Sequence, residues 1–285
     1  MRLKDFILVA KPGIVVGNTL AVLGGFLYGS PDGVVFSRLA GVVFGSLLLI
    51  AASCVVNNYL DRDIDRHMHR TAKRPSVTGV IPYKTAMYYV AAMYVFGFGL
   101  VFWLTHALTV AVGFAAAVLY TLVYYVAKRR THWGTFVGAF PGATPPLAGY
   151  VAATGELNQA ALLLFAIMFA WQMPHFYAIG IFRAEDYKRA KVPVLPAVKG
   201  LSRTVWEMRI YGLAFIMSCY LLARWEQAGF MFGLAMITLG LYWLHPMFSP
   251  NWRRDTEAIA RTVFKRSLHV LFGLCFFLAM SHVLL

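Results

Sequence analysis

Residues 57–75, "NNYLDRDIDRHMHRTAKRP", place a dense group of charged side chains at the end of a long apolar run. That run is one of several with roughly 20 residues each, the length at which a helix crosses a bilayer. The chain has 285 residues, of which 60% are hydrophobic and 13% are charged. The sequence therefore predicts an all-α, polytopic membrane protein whose polar groups gather at the ends of its helices.

We predict nine transmembrane helices that form a single domain over residues 1–285. The long charged loops between them lie at one end of the bundle, and no soluble domain interrupts the series of helices. The predicted helices cover residues 12–29, 37–60, 86–105, 107–127, 134–153, 159–182, 209–224, 228–245 and 267–285.

The charges are distributed asymmetrically about these helices. The net charge is +14, and 24 of the 26 Lys and Arg residues lie on the same side of the membrane as the N-terminus, with Arg38 and Arg224 as the exceptions. Basic residues concentrate on the cytoplasmic side of membrane proteins. This pattern predicts a multi-pass protein of a bacterial inner membrane, with its N-terminus and charged loops cytoplasmic, and it explains the net charge without a nucleic acid partner.

The opening stretch carries carboxylates in helical register. If the preceding helix continues, Asn57, Asp61 and Asp65 fall one turn apart on one face, with the two carboxylates about 6 Å apart along the axis. Such a pair suits Mg²⁺, which is often held by one or two carboxylates and substrate phosphate oxygens, and the basic residues at 70–74 suit a phosphate. Asp63 projects from another face towards a neighbouring Arg. A solvated, salt-bridged loop is the alternative.

Two further loops on the same side carry polar groups. Glu185 and Asp186 lie among basic residues after the sixth helix, and Tyr124 and Lys128 share a face at the end of the fourth. An interfacial tyrosine and a snorkelling lysine would explain the second pair equally well. No acidic residue lies in the middle of a predicted span, which argues against an ion-coupled transporter.

The fifth predicted span contains "GAFPGATPPLAGY", residues 138–150, with three glycines and three prolines. Such a segment makes a poor regular helix. Irregular backbone at membrane depth is tolerated where it is buried in protein or lines a cavity. The segment therefore indicates either a ligand chamber or close packing of small residues.

The stretch 57–75 resembles the NDxxDxxxD motif of the UbiA-type intramembrane polyprenyl transferases, which attach isoprenoid chains to quinone precursors, chlorophyll and haem. Within that superfamily, "WQMPHFYAI" (171–179) and "EDYKRAKVPVLP" (185–196) are similar to segments of the members that farnesylate haem. The resemblance covers nearly the whole chain. It implies a helical bundle around a central cavity and transfer of a farnesyl group from farnesyl diphosphate to a vinyl group of haem b, with addition of water.

The resemblance also implies roles for individual residues. As catalytic residues it implies Asn57, Asp61, Asp65, Tyr124, Lys128 and Asp186. The implied Mg²⁺ ligands are Asn57, Asp61, Asp65 and Asp186. The implied substrate contacts are Asn58, Arg70, Arg74, Arg129, Trp171, His175 and Lys188. Asn58 stands where many members have Asp, and the second aspartate motif is reduced to Glu185 and Asp186. His175 is an axial ligand or propionate contact for haem, or forms a structural hydrogen bond.

Other functions remain open from the sequence alone. A prenyltransferase that acts on a phenolic quinone precursor, such as 4-hydroxybenzoate, would share the first motif but should have a fuller second aspartate motif. A transporter or an assembly protein would explain the spans and the charge bias, but not the register of Asn57, Asp61 and Asp65. If haem is the acceptor, we expect membrane lipid and a haem A synthase or terminal oxidase assembly as partners.

Overall fold

All regular secondary structure in the described part of the chain is helical. The computed structural model describes residues 2–226 and 228–282. A π-helical turn, Leu119–Val123, joins α7 to α8, and two 3₁₀ turns, His245–Phe248 and Pro250–Arg253, follow α14. The α-helices are α1 (Leu3–Val9), α2 (Pro12–Tyr28), α3 (Phe36–Leu60), α4 (Arg62–Arg66), α5 (Pro75–Thr78), α6 (Tyr83–Leu104), α7 (Ala107–Val118), α8 (Tyr124–Arg130), α9 (Gly134–Gly142), α10 (Thr144–Thr154), α11 (Gln159–Phe182), α12 (Ala184–Arg189), α13 (Leu195–Trp225), α14 (Phe230–Leu244) and α15 (Thr256–Met280).

The helices confirm the predicted all-α membrane protein, but they do not confirm the count of nine spans. Among the described residues, seven helical runs are long and apolar enough to cross a bilayer, and α1 with α2, bent by 62°, makes an eighth candidate. The seven runs are Phe36–Leu60, Tyr83–Leu104, Ala107–Arg130, Gln159–Phe182, Leu195–Trp225, Phe230–Phe248 and Thr256–Met280.

Two helices begin well before their predicted spans. α13 begins at Leu195 and α15 at Thr256, whereas the spans were predicted to begin at 209 and 267. The first turns of both helices are rich in Lys, Arg and Glu, so hydropathy places the start of the span after them. These turns extend α15 beyond its apolar segment. In α13 the backbone leaves helical geometry at Gly200 (φ 79°, ψ 170°), so a short helical segment precedes the helix that enters the predicted span. The last predicted span, 267–285, ends in residues 283–285, which lie outside the described residues.

The fifth predicted span is broken into two short helices. α9 ends at Gly142 with Pro141 inside it, and α10 begins at Thr144 with prolines in its first turn. The structure confirms the irregular helix predicted over 138–150. The break lies on the cavity described below, since Pro141, Gly142 and Thr144 all line it.

The bundle closes around this cavity through helix pairs that lie far apart in the sequence. α3 packs on α6, α2 on α10, α11 on α13, and α15 packs on both α11 and α2. The largest core cluster draws on α10, α11, α13, α14 and α15, and a second one joins α3 and α6. Contact between the first long helix and the last makes the arrangement a closed ring.

Close approach of α2 and α10 depends on glycine. A Cβ added at Gly149 would overlap the carbonyl oxygen of Val22, and one added at Gly25 would overlap that of Pro146. Because both neighbours are backbone atoms of a helix, a side chain here can only be accommodated by moving the helices apart.

We therefore expect Gly149→Ala to destabilise the folded protein by about 1–3 kcal/mol, the range for overpacking a close-packed interior. Thermal unfolding of the detergent-solubilised protein measures the effect. Gly99→Ala is the matched control, because a Cβ at Gly99 on α6 meets nothing within 4 Å. Equal unfolding temperatures for the two variants would contradict this account of the α2–α10 contact.

Candidate active site

One large cavity of about 1170 Å³ occupies the centre of the bundle. Its wall is mostly apolar, but charged and polar side chains collect where α3, α4 and α8 end. The polar side chains at this charged end are Lys11, Asn57, Asp61, Asp65, Arg70, Arg74, Tyr120, Tyr124, Lys128 and Tyr187. The cavity thus joins an apolar chamber of substrate size to a compact set of charges.

Three of these side chains come from the junction of α3 and α4. α3 ends at Leu60, yet the helical hydrogen bonds continue, because the Asp61 N–H donates to the Asn57 carbonyl at 2.9 Å and the Asp65 N–H donates to the Asp61 carbonyl at 2.8 Å. Asn57, Asp61 and Asp65 therefore keep the register that the sequence predicts. All three are buried and line the cavity.

Each carboxylate is paired with a cation from another segment. Lys128 Nζ lies 2.6 Å from Asp61 Oδ2, and Arg74 Nη1 lies 2.6 Å from Asp65 Oδ2. The second oxygen of Asp61, Oδ1, is buried and has no hydrogen-bond partner among the described residues. Arg74 also donates to Asn58 Oδ1 at 3.0 Å, which fixes its direction. Both carboxylates are therefore neutralised, and Lys11 and Arg70 leave this end with a net positive charge. Asp61 Oδ1 accepts no hydrogen bond from the described residues, and Arg129 Nη2 lies 3.9 Å from it.

Sequence reasoning missed Lys11, which lies at the same end. It connects α1 to α2 in the left-handed region, at φ 57°, and its Nζ donates to Asn57 Oδ1 at 2.9 Å. A non-glycine residue there is strained, and such strain is concentrated at functional sites. The available signal was a lysine directly before Pro12 and Gly13, where proline begins a helix.

The donor set at this end fits Mg²⁺. Two carboxylates and an amide supply hard oxygen ligands, and the free Oδ1 of Asp61 is an unsatisfied acceptor of the kind a cation would use. No group of three or more His, Cys, Asp or Glu side chains in the described residues could enclose a metal. Mg²⁺ does not need such a cage, because it commonly keeps waters and takes substrate phosphate oxygens.

Two tyrosines lie between the charged end and the apolar chamber. Tyr120 and Tyr124 stack with their ring centroids 5.5 Å apart, and Lys128 Nζ lies 5.9 Å from the Tyr124 ring. Gly138 leaves room for the Tyr124 ring, because an added Cβ would lie 2.7 Å from it. The irregular segment at 138–150 thus helps to position Tyr124, one of the predicted site residues.

Arg129 does not line the cavity, although its Nη2 lies 3.9 Å from Asp61 Oδ1. Its guanidinium donates to Asp63 at 2.8 and 2.5 Å and to the Leu60 carbonyl at 2.6 Å. Hydrogen bonding from Arg129 holds the pKa of the Asp63 carboxyl at about 2, so this pair stays ionised at neutral pH. Arg129 and Lys128 are adjacent on a helix and therefore point about 100° apart. Asp63 lies on another face from Asp61 and Asp65, as the helical register predicts, and its Arg partner comes from another helix, α8.

Three more predicted residues do not line the cavity. Asp186 accepts from Arg189 at 2.6 Å and from the His69 N–H at 3.2 Å, so it ties α12 to the loop after α4. Burial raises its pKa, but these hydrogen bonds outweigh burial and hold the pKa below its usual value. Asn58 faces the Val9 carbonyl, and Lys188 is solvated. These three residues lie outside the cavity wall, and the metal and substrate roles that the motif implies for them stay predictions.

A histidine and two aromatic rings form another part of the cavity wall. His175 stacks on Trp171 at 4.7 Å between centroids and lies 4.9 Å from the Phe264 ring. Ser267 Oγ donates to the Phe264 carbonyl at 2.6 Å, so the His175 Nδ1, 2.7 Å from that Oγ, donates to it. This tautomer leaves the lone pair of His175 Nε2 free. We call Trp171, His175 and Phe264 the aromatic wall.

The comparisons with known proteins agree with this geometry. Residues 18–279 match the model of the UbiA prenyltransferase family. The chain is 42% identical over 269 residues to protoheme IX farnesyltransferase 2 of Pseudomonas paraeruginosa, covering 94% of this chain and 91% of that one. It is 37% identical over 292 residues to protoheme IX farnesyltransferase of Citrobacter koseri, covering 100% and 99%.

Solved structures show the same fold at low sequence identity. A digeranylgeranylglyceryl phosphate synthase superposes with a TM-score of 0.77 at 15% identity, over 99% of this chain and 98% of that one. A UbiA homologue from Archaeoglobus fulgidus bound to GPP and Mg²⁺ superposes with a TM-score of 0.67 at 15% identity, over 94% of this chain and 99% of that one. The chain therefore shares the fold of these two proteins. The chain belongs to the UbiA prenyltransferase family, and it is a transferase.

Proposed function

We propose that the protein transfers the farnesyl group of farnesyl diphosphate to a vinyl group of haem b. The observation that carries the proposal is that one cavity joins a charged end suited to Mg²⁺-diphosphate to an aromatic wall that contains a histidine with a free nitrogen. The relatives named protoheme IX farnesyltransferase, which are similar over nearly the full length of the chain, support the choice of haem as acceptor.

The charged end would hold the diphosphate. Asp61, Asp65 and Asn57 are the residues that would hold Mg²⁺, which when bound supplies positive charge to the phosphate oxygens. Lys11 and Arg70 line the same end and would donate to the diphosphate directly. These cations stabilise the negative charge that develops on the leaving diphosphate as the allylic C–O bond breaks, because its electron pair departs with the oxygen.

The apolar chamber would hold the farnesyl chain. Tyr120 and Tyr124 lie at its boundary with the charged end, where their ring faces can stabilise an allylic cation. Electrons of the haem vinyl group form the new carbon–carbon bond. Water then adds to the resulting cation and loses a proton, which gives a hydroxyethylfarnesyl group. The protein's main contribution is to hold both reactants in line and away from bulk water.

The aromatic wall would receive the haem. Trp171 can stack on a planar macrocycle, and His175 presents Nε2 as an iron ligand because Ser267 fixes its tautomer. The basic residues at the ends of these helices support a cytoplasmic position for the charged end of the cavity. Farnesyl diphosphate would enter from that side, since it is a charged, water-soluble headgroup on a lipid tail.

The direct test incubates the purified protein with haem b, farnesyl diphosphate and Mg²⁺. The expected product is a farnesylated, hydrated haem identified by mass, and EDTA should abolish its formation. Prenylation of 4-hydroxybenzoate in place of haem would contradict haem as the acceptor. Absence of any prenyl transfer with either acceptor would contradict the proposed function as a whole.

His175→Ala should lower kcat/KM for haem by about 10-fold or more, because the cavity loses one strong contact to the acceptor. The KM for farnesyl diphosphate should stay within about twofold. A shift in the visible spectrum of bound haem b measures whether Nε2 ligates iron. An unchanged spectrum and unchanged kinetics would show that His175 has only a structural role, and His269→Ala on the exposed side of α15 is the control.

A further inference from the structure

The cavity has a second group of cations that the diphosphate end does not include. Arg183, Arg261 and Lys265 all line it, where the end of α11 meets the beginning of α15. We call these three residues the cationic edge. The Phe182 ring lies between two of them, with its centroid 5.6 Å from the Arg183 guanidinium and 4.9 Å from that of Arg261.

Two members of the cationic edge have no anionic partner. Among the described residues, no hydrogen bond or ion pair engages the side chain of Arg183 or Lys265. Arg261 is held by Glu257 one turn earlier, so it is already neutralised. By contrast, Lys128 and Arg74 at the diphosphate end are both paired with a carboxylate. Asp186 is near enough for Arg183 to lower the pKa of its carboxyl, but that carboxylate is hydrogen-bonded to Arg189 and to the His69 N–H. The edge therefore presents to the cavity two positive charges that no carboxylate of the described residues contacts directly.

The cationic edge continues the aromatic wall. The Phe264 ring lies 4.9 Å from the His175 ring and 5.5 Å from the Phe182 ring, measured between centroids, so ring contacts continue from the histidine to the edge. Arg183 lies eight residues after His175, which corresponds to about 12 Å along a helix. The edge therefore lies further along α11 than His175, towards the end of the helix.

The charge balance of the cavity also favours an anionic acceptor at this position. A dicarboxylate that shares a cavity with a diphosphate and with Asp61 and Asp65 is repelled by all of them. Cations without carboxylate partners offset that repulsion only if they lie close to the carboxylates of the acceptor. Arginine in particular matches a carboxylate through two parallel N–H groups.

We infer that Arg183 and Lys265 bind the two propionate carboxylates of the acceptor, and so fix which edge of the macrocycle faces the allylic carbon. The inference rests on the proposed function, and it adds the residues that select a dicarboxylate tetrapyrrole and orient it. Phe182 positions Arg183 by stacking, and the aromatic wall supports the ring plane.

The test compares haem b with its dimethyl ester, in which both carboxylates are neutral, as acceptors for wild type, Arg183→Gln, Lys265→Gln and the double variant. Each single variant should lose about 10-fold in kcat/KM for haem b, the usual effect of one charge-assisted contact. The double variant should lose about 100-fold. For the ester, every variant should stay within about twofold of wild type. The KM for farnesyl diphosphate should not change.

Lys199→Gln is the matched control, because Lys199 is an exposed lysine at the start of α13 that does not line the cavity. Equal losses of kcat/KM for haem b and for the ester would overturn the inference. Cations that only contact lipid phosphate, or only support the fold, would affect the reaction with both acceptors equally. A raised KM for farnesyl diphosphate would assign them to the diphosphate instead.

A binding measurement separates this inference from the proposed function. Haem b is titrated into the protein without farnesyl diphosphate, and binding is followed by absorbance. The Kd of the double variant for haem b should be about 100-fold higher than that of wild type. If wild type binds haem b but never prenylates it, the proposed function fails and the cationic edge is still tested. Equal affinity of wild type and double variant for haem b would overturn the inference.

Discussion

Asp61→Asn and Asp65→Asn should each lower kcat/KM for prenyl transfer by about 10²–10³-fold, the range seen when one electrostatic stabiliser of a transition state is removed. Both side chains are buried on the cavity wall, with 2% and 4% of their surface exposed. Asparagine keeps the size of the side chain but removes the negative charge that would hold a metal-bound diphosphate. Initial rates of farnesyl transfer, with melting curves to verify folding, measure the effect.

Asp63→Asn is a control that the chain itself provides. Asp63 lies between the two carboxylates in sequence, but its side chain is 65% exposed and paired with Arg129 outside the cavity. We expect its transfer rate to stay within about twofold of wild type, as for most surface substitutions. Near-normal turnover in both Asp61→Asn and Asp65→Asn would contradict the assignment of the metal site to this face.

Helical periodicity explains why the sequence predicted this face correctly. Residues four apart lie on one side of a helix, and the hydrogen bonds from Asn57 through Asp61 to Asp65 preserve that relation although α3 formally ends between them. The same helical geometry predicted that Asp63 points away from the face that carries Asp61 and Asp65. The same holds for the broken segment at 138–150, since proline and glycine act on the backbone locally.

The parts of the site that the sequence did not predict depend on contacts across the bundle. Lys11 contacts Asn57, which is 46 positions further along the chain. Nothing in the local pattern of either segment places them together. Asp186 and Arg129 carry the residue types that the motif expects, but nearer partners, Arg189 and Asp63, neutralise them outside the cavity.

The extended starts of α13 and α15 were missed for a different reason. Hydropathy detects the part of a helix that lies in lipid, whereas the helix itself continues into the charged layer. The cationic edge arises from this extension, because Arg261 and Lys265 lie in turns of α15 that precede its predicted span. Binding groups for a polar part of a substrate are expected at this level of a membrane enzyme.

Lys128→Met should reduce prenyl transfer by about 10²-fold while making the protein more responsive to Mg²⁺. Lys128 neutralises the buried Asp61 at 2.6 Å, so its removal leaves a buried carboxylate with no hydrogen-bond partner on either oxygen. Breaking a buried ion pair from one side costs about 3–5 kcal/mol of folding stability. A cation that binds the folded state can recover part of that loss.

The measurement is the melting temperature with and without Mg²⁺, in the absence of any diphosphate. The melting temperature of wild type should rise little when Mg²⁺ is added, because both carboxylates already have cationic partners. Lys128→Met should melt at a lower temperature than wild type, and Mg²⁺ should raise its melting temperature by several degrees. Lys128→Met combined with Asp61→Asn should regain stability and lose the response to Mg²⁺, since the unpaired charge is gone. Arg129→Met removes only the longer contact to Asp61, at 3.9 Å, and leaves the 2.6 Å Asp61–Lys128 pair in place, so it should respond like wild type. A Lys128→Met protein that is indifferent to Mg²⁺ would show that the Asp61 carboxylate is not a metal ligand, even if transfer activity is lost.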